Sequence, residues 1–334
     1  MKKRLLWIDV LRIIAIFSVI VMHVIGNTTY TLNVNNTIYN IINVILYSVM
    51  PLFVMISGIL FLDKDINYKD LFKKYILRIL LVLIIFGSLF SFMEIYFNNS
   101  KVLVSDIKIV FMNLITGNLW VHMWYLYMIL GLYIITPILR YLIKYDKDYK
   151  NGIIFMIILY IFTILVPELN YGFKINIQAV LPINSGFLFI YMLGYYLYKI
   201  DIKGISKIII YILGIIGLIN IVMVTLNKSN YQLIGYTSTS TILVASSILI
   251  LFKGKKICNN EKVSKLISSI GVCCFGIYIL HQILINIIYK ILRVSFIIDY
   301  PYIGLVLYSL GIFIVTYVIV LLLRKIKLVR DYLF

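Results

Sequence analysis

Long apolar stretches separated by short polar segments make up most of this chain. We place ten such stretches at residues 5–26, 41–62, 76–97, 121–143, 152–166, 183–199, 206–226, 238–252, 267–289 and 303–323. An α-helix needs about 20 apolar residues to cross the hydrocarbon core of a bilayer. The pattern therefore predicts an all-α polytopic membrane protein with about ten transmembrane helices, folded as a single domain over residues 1–334.

The composition agrees with this pattern, because 63% of the residues are hydrophobic and 13% are charged. A net charge of +18 would suggest nucleic-acid binding in a soluble protein, but the basic residues here lie in the short segments between apolar stretches. We therefore interpret the charge as a topology signal and expect no nucleic-acid partner. The three cysteines form no C-x-x-C motif and have no histidine at metal-ligand spacing, so we expect neither a disulfide framework nor a metal site.

The distribution of Lys and Arg over alternate segments predicts the orientation of the chain. The N-terminus, 63–78, 140–150, 199–207, 253–265 and the C-terminus hold 24 of the 31 basic residues, and the opposite segments hold six. Cytoplasmic segments of membrane proteins carry excess Lys and Arg, so both termini are predicted to be cytoplasmic. Residues 27–40 and 227–240 then lie outside, and 101–117 are predicted to form a short helix at the outer interface.

Ionisable groups interrupt the first apolar stretch. Arg12 and His23 are eleven residues apart, so on a helix they differ by only about 20° around the axis and are separated by about 16 Å along it. An ionisable residue in a membrane helix is costly and indicates function. Residues 2–4 are similar to the start of a signal peptide, but the length of the stretch and Arg12 favour an uncleaved first span.

The predicted topology assigns a depth to the other polar groups. All three histidines fall on the outer side, with Glu94 at a similar depth: His23, His122 and His281. A basic group gathers at the inner side: Arg12, Lys73, Lys74 and Arg78. A histidine near an interface is more often a packed polar residue than a catalyst, and lysines at a span end are most simply topology signals. Arg12 differs, because it lies too deep for its charged group to reach water easily.

Five motifs follow one another along the chain. They are Asp9-x-x-Arg12 with His23, Pro51 to Phe61 around Ser57, Phe72 to Arg78, His122-Met-Trp124-Tyr125-Leu126, and Phe275-Gly-Ile-Tyr278-x-x-His281. In this order they resemble the motifs of the acyltransferase-3 family of integral membrane acyltransferases, in its stand-alone form without an SGNH domain. The spacing of Arg12 and His23 alone is a weak pattern, whereas the ordered set is specific.

The resemblance implies transfer of an acyl group, usually acetyl from acetyl-CoA or another acyl-CoA, to a hydroxyl of an extracytoplasmic polysaccharide or envelope glycan. It implies donor contacts from a mainly basic set: Arg12, Lys73, Lys74, Arg78 and Ser57. It implies a catalytic set with His23 as the base: His23, Glu94 and His281. It implies acceptor contacts from an aromatic set: His122, Trp124, Tyr125 and Tyr278. Direct transfer and an acyl-enzyme intermediate both remain open.

Two other functional hypotheses compete with that of an acyltransferase. A transporter or flippase for a lipid-linked glycan would use Arg12 to bind phosphate, but such a protein ordinarily has broken helices or an internal repeat, and the sequence shows neither clearly. A non-catalytic scaffold or sensor leaves the order of the motifs unexplained. We expect a bacterial cytoplasmic membrane location, and the few residues after the last span predict direct transfer or a separate acyl-relay protein. The oligomeric state stays open.

Overall fold

The computed structural model describes residues 5–31, 36–64, 66–146, 148–174, 186–227, 231–292 and 296–334. Within these residues the regular structure is helical and no strand occurs. The α-helices are α1 Leu6–Thr31, α2 Thr37–Leu46, α3 Val49–Leu62, α4 Tyr68–Leu71, α5 Leu77–Asn99, α6 Asp106–Thr116, α7 Trp124–Tyr145, α8 Lys150–Tyr160, α9 Val166–Phe173, α10 Gly186–Lys199, α11 Gly204–Leu226, α12 Thr239–Phe252, α13 Glu261–Asn286, α14 Phe296–Asp299, α15 Pro301–Leu323 and α16 Lys327–Tyr332. Short 3-10 turns lie at Val121–Met123 and Tyr231–Ile234, and π-helical turns at Phe72–Ile76, Ile161–Leu165 and Ile287–Ile291.

In the described part of the chain, eight helical stretches are long and apolar enough to cross a membrane. They are Leu6–Thr29, Thr37–Leu62, Tyr68–Asn99, Val121–Tyr145, Lys150–Phe173, Gly204–Leu226, Glu261–Ile291 and Pro301–Leu323. The predicted all-α polytopic membrane fold is therefore confirmed. The sixth predicted span contains α10, which the structure describes from Gly186 onward, and the eighth coincides with α12, which has 14 residues. A count of ten spans, the cytoplasmic termini and the single domain stay predictions.

Some predicted features lie outside the described residues: residues 2–4, 32–35, 183–185 and 228–230. The short helix predicted within 101–117 is present as α6.

A proline divides the second span into α2 and α3. Pro51 has no N–H to donate to the carbonyl of Tyr47, and its ring crowds that carbonyl. The Tyr47 oxygen instead accepts from the Met50 amide at 3.3 Å, three residues on, and the helix restarts after Ser48. The predicted second span, 41–62, lies within one apolar helical stretch, Thr37–Leu62, and the turn at Tyr47 and Ser48 is a detail that the hydropathy pattern does not show.

A second proline, Pro167, does not interrupt its helical stretch. The sequence pattern places the end of the fifth span at residue 166, whereas the helical stretch runs past Pro167 to Phe173. The π-helical turn Ile161–Leu165 precedes α9 and places Pro167 in the first turn of that helix. A proline is tolerated there, because the amide of that position needs no partner within the helix.

Packing divides the chain into two compact units, and the first contains Met1–Lys64 and Ile138–Val272. In this unit α1 packs against α2, α3 and α12, α10 packs against α3, and α11 packs against α12. Two glycines bring α3 and α10 into backbone contact. A Cβ at Gly58 would collide with the carbonyl oxygen of Tyr191, and one at Gly194 would collide with the backbone of Met55. Small residues permit this close approach of membrane helices.

The second unit contains Asp65–Pro137 and Cys273–Phe334. Here α5 packs against α6, and α14 against α15. A Cβ at Gly276 on α13 would meet the Val320 side chain on α15 at 2.7 Å. Further along, the rings of Tyr289 and Tyr308 lie 6.3 Å apart. From the first contact to the second, the residue numbers rise along α13 and fall along α15. The two helices therefore run antiparallel.

We expect Gly58→Ala to destabilise the first unit, because the new methyl group would meet backbone that cannot rotate away. Overpacking of this kind costs about 2 kcal/mol. The measurement is the apparent melting temperature of the purified protein in detergent. Gly26→Ala is the matched control in α1, because a Cβ there has no heavy atom within 4 Å. Equal melting temperatures for the two variants would contradict the proposed close packing of α3 and α10.

Candidate functional site

The polar stripe of the first unit lies on one continuous helix. Arg12 and His23 both belong to α1, and eleven residues of helix separate them by about 16 Å on one face. The Arg12 guanidinium lies 3.7 Å from the Asp9 carboxylate, whose side chain is 3% exposed. Gly271 of α13 leaves room for that carboxylate, because a Cβ there would lie 2.6 Å from Asp9 Oδ1. The cation predicted in this helix is therefore partly neutralised one turn away.

His23 and Ser57 are half-buried on two helices of this unit. The His23 carbonyl accepts a hydrogen bond from Asn27 Nδ2 at 2.9 Å, within the last turns of α1. The Ser57 hydroxyl donates to the Phe53 carbonyl at 3.1 Å, within α3. Helix α1 packs against α3. The catalytic role of His23 and the donor role of Ser57 stay predictions.

The second unit brings together two histidines within a group of aromatic rings. The ring of His122 lies 5.2 Å from that of His281 and 5.6 Å from that of Tyr278. Both histidines are buried, with 2% and 0% exposure. The Tyr278 hydroxyl donates a hydrogen bond to the His122 carbonyl. Tyr125 joins the group with its ring 5.6 Å from Tyr278. Four of the residues singled out from sequence motifs are thus neighbours.

Local structure explains how these side chains meet. Tyr278 and His281 are three residues apart on α13 and so share one face of that helix. The 3-10 turn Val121–Met123 buries His122, and α7 then begins at Trp124, whose ring is 6.2 Å from Tyr125. His281 Nδ1 lies 3.2 Å from the Ile277 carbonyl oxygen. If Nδ1 carries the proton and donates there, Nε2 holds the lone pair.

Glu94 binds a tryptophan beside this group. Its carboxylate accepts a hydrogen bond from Trp120 Nε1 at 2.9 Å and is bound by Lys290 Nζ at 2.9 and 3.1 Å. The Trp120 ring stacks on Phe90 at 4.4 Å, and Phe90 lies 5.5 Å from the His122 ring. In the second unit Glu94 is thus positioned to hold Trp120 next to the histidines. Its role towards His23 stays a prediction.

Lys290 was missed as a site residue by the sequence reading, which placed it in an outer loop. The hydropathy pattern weakens at residue 289, but the π-helical turn Ile287–Ile291 continues the helix beyond that point. Such turns occur frequently at functional sites. Neither the turn nor a partner 196 residues away leaves a local sequence signal.

The basic residues predicted to bind the donor divide between the units, with Arg12 in the first and the other three in the second. Lys73 and Lys74 are exposed, and the 3.4 Å pair of Lys74 with Asp70 is too exposed to contribute much stability. Arg78 is half-buried, and its Nη2 donates to the Asp331 carbonyl at 2.9 Å. It therefore ties α5 to α16. Donor binding by any of them stays a prediction.

Among the described residues, no three His, Cys, Asp or Glu side chains are grouped so that they could hold a metal ion. A protein-family model described as an acyltransferase domain matches residues 5–325 of the 334. No curated protein and no solved structure matches the chain.

We expect Glu94→Gln to keep Trp120 in place and Glu94→Leu to release it, because only glutamine retains an acceptor for the indole N–H. Leaving that donor unsatisfied costs about 1–3 kcal/mol. The measurement is tryptophan emission in a Trp7→Phe, Trp124→Phe background, in which Trp120 is the remaining tryptophan. Leucine should shift the emission to longer wavelength, and glutamine should not.

Glu261→Leu is the matched control, because Glu261 pairs with Lys265 on an exposed surface. Equal shifts for the glutamine and leucine variants at position 94 would mean that the ion pair with Lys290, and not the indole hydrogen bond, holds the ring.

Proposed function

Because this chain belongs to the acyltransferase-3 family of membrane acyltransferases, we propose that it is an acyl-CoA-dependent O-acyltransferase, with acetyl-CoA as its donor. The proposed acceptor is a hydroxyl of a cell-surface polysaccharide or envelope glycan on the outer face of a bacterial cytoplasmic membrane. The matched family and the eight apolar helical stretches of the described residues make the chain a multi-pass membrane acyltransferase.

The observation that carries the proposal is the pairing of Arg12 and His23 on one apolar helix. An arginine at the predicted inner end suits a polyanionic nucleotide made in the cytoplasm, because its planar guanidinium binds phosphate through two parallel hydrogen bonds. A histidine at the other end suits proton transfer, since its ordinary pKa of about 6.5 lies close to physiological pH. The separation of about 16 Å suits an extended pantetheine arm between them.

In the proposed chemistry His23 removes the proton of the acceptor hydroxyl while its oxygen attacks the thioester carbonyl. The new C–O bond forms, the C–S bond breaks, and the CoA thiolate leaves with the electron pair of that bond. The proton held by the imidazole then passes to the thiolate. An acyl-histidine intermediate would use the same atoms in two steps.

The remaining residues take supporting parts in this proposal. Lys73, Lys74, Arg78 and Ser57 are proposed donor contacts on the predicted inner side. The cluster of the second unit is proposed to bind the acceptor, with His122, Trp124, Tyr125 and Tyr278 as contacts and His281 as a second catalytic histidine. Aromatic rings with buried polar groups are typical of small-molecule sites. Glu94 then acts by positioning Trp120.

A transporter or flippase of a lipid-linked glycan is the second candidate, and the break between α2 and α3 favours it, because transporters bind substrate at broken helices. Pro51 accounts for this break without any transport function. A transporter would move the glycan and leave it unmodified.

Inside-out membrane vesicles test the proposal directly. Labelled acetyl-CoA added outside such vesicles faces the cytoplasmic surface, and we expect label to enter glycan held in the lumen. His23→Ala should remove this incorporation while the protein stays inserted and monodisperse. Ile14→Ala is the control, because Ile14 lies on the same helix with 39% exposure and takes no part in the site.

Incorporation by His23→Ala at the wild-type rate would exclude His23 as the base. Movement of glycan across the vesicle membrane without incorporation of the acyl label would favour the transporter. Acylation that requires both substrates on the cytoplasmic side would exclude transfer across the membrane, but it would still identify the protein as an acyltransferase.

We expect Arg12→Lys to weaken CoA binding about tenfold, because lysine keeps the charge but loses the planar fork of donors. Calorimetric titration of CoA into the purified protein measures this. The Asp9 carboxylate can still pair with lysine, so insertion and folding should be preserved. An unchanged dissociation constant would remove Arg12 from the donor site.

A further inference from the structure

Residues 327–334, which we call the strap, pack against the second unit mainly through their last two side chains. Helix α16 has no buried residue of its own. Leu333 and Phe334 follow it and are buried, with 9% and 3% exposure. Their amides both donate to the Val329 carbonyl at 2.9 Å, so they continue the turn of the short helix. Two apolar side chains therefore fix a segment that is otherwise largely exposed.

Phe334 lies at one end of a line of aromatic rings that leads to the candidate site. Its ring is 5.7 Å from that of Phe86, which is 5.9 Å from Phe90. The Phe90 ring is in turn 5.5 Å from His122. A Cβ at Gly276 would lie 3.1 Å from the Phe334 ring, so α13 also packs against it. Phe334 thus covers the end of this line that is farther from the histidines.

The strap also binds one of the predicted donor residues, Arg78. Its Nη2 donates to the Asp331 carbonyl at 2.9 Å and to the Arg330 carbonyl at 3.5 Å. The Asp331 carboxylate is instead paired with Arg330 Nε at 3.0 Å. The oxygens of the strap that Arg78 binds are therefore neutral carbonyl oxygens.

This contact uses only part of the Arg78 guanidinium. Arginine presents five N–H donors in a planar fork that binds phosphate through two parallel hydrogen bonds. Both bonds to the strap come from one nitrogen, Nη2. Within the described part of the chain, Arg78 Nε has no hydrogen-bond partner and is shielded from solvent. A phosphate adds a second parallel bond and the attraction of opposite charges, so it is a stronger ligand for this group than two carbonyls.

We propose that the strap is autoinhibitory, because residues 327–334 compete with the phosphates of acyl-CoA for Arg78 while Phe334 covers the line of rings. This rests on the proposed function, in which Arg78 contacts the donor. When a donor phosphate binds Arg78, the strap loses both carbonyl contacts with it. Leu333 and Phe334 then leave α5 and α13, and the rings behind them are uncovered.

Calorimetric titration of CoA into the purified protein in lipid nanodiscs tests the inference. A strap that is open in about one molecule in ten weakens CoA binding about tenfold, so deletion of residues 327–334 should lower the dissociation constant by that factor. Phe334→Ala should lower it by a smaller factor, because the carbonyls remain. Leu328→Ala is the matched control, since Leu328 lies on α16 but is 67% exposed. A purely structural α16 predicts the opposite, because its loss would loosen the second unit and weaken CoA binding.

Thiol labelling follows the movement of the strap itself. The background is Cys258→Ala, because Cys258 is half-buried whereas the other two cysteines are buried. Leu333→Cys should react slowly with a maleimide, since position 333 is 9% exposed, and several times faster when CoA is saturating. Leu328→Cys is the control and should react at one rate with and without CoA.

Two results would overturn the inference. They are unchanged or weaker CoA binding by the folded deletion variant, and a labelling rate of Leu333→Cys that bound CoA does not alter. Size-exclusion profiles and melting temperatures establish that the variants fold, and Phe334→Ala decides if the deletion variant does not.

The vesicle experiment separates failure of the strap from failure of the proposed function. Label from acetyl-CoA in membrane glycan, together with either of these results, would leave the acyltransferase standing and remove only the strap. A wild-type protein that neither binds CoA nor incorporates label would overturn both.

Discussion

Basic side chains satisfy carbonyl groups at the ends of three helices in this protein, α3, α10 and α16. The final carbonyls of a helix lack partners within it and must be satisfied from elsewhere. Arg140 donates to the Phe61 carbonyl near the end of α3 at 2.5 and 2.7 Å. Lys253 donates to two carbonyls at the end of α10, and Arg78 to those of α16. Positive charge also complements the negative end of the helix dipole.

Some of the basic residues that predict the topology also form hydrogen bonds with backbone carbonyls. The sequence predicts a topology from the excess of Lys and Arg, and that reasoning needs no knowledge of partners. Arg140 and Lys253 belong to segments that were counted as loops, yet both satisfy backbone carbonyls within the first unit. Each of these residues therefore stabilises the fold, in addition to the orienting role that its charge predicts. Local composition predicts the first role, and only the tertiary structure supplies the second.

In the candidate site, too, arrangements within one helix can be predicted from the sequence, whereas contacts between distant segments cannot. Arg12 and His23 share a face because helical periodicity acts over eleven residues, and so the sequence alone predicts their arrangement. The pair of Glu94 with Lys290 joins positions 196 residues apart, and nothing in either neighbourhood indicates the other. The effect of the prolines can be predicted only in part. Pro51 and Pro167 both signal a change in the helix, but whether it breaks or continues depends on the turn that precedes the ring.

The start of α12 shows how a short membrane helix can be completed by a distant side chain. Its 14 residues are about 21 Å long, which is less than the hydrocarbon thickness of about 30 Å. Helix α12 can begin at Thr239 because the Glu168 carboxylate accepts from the Thr239 amide at 2.7 Å and from its hydroxyl at 2.6 Å. Ser238 caps the same turn through the Thr241 amide. Irregular backbone at membrane depth is tolerated only where protein or water supplies partners, so this carboxylate allows the span to end early.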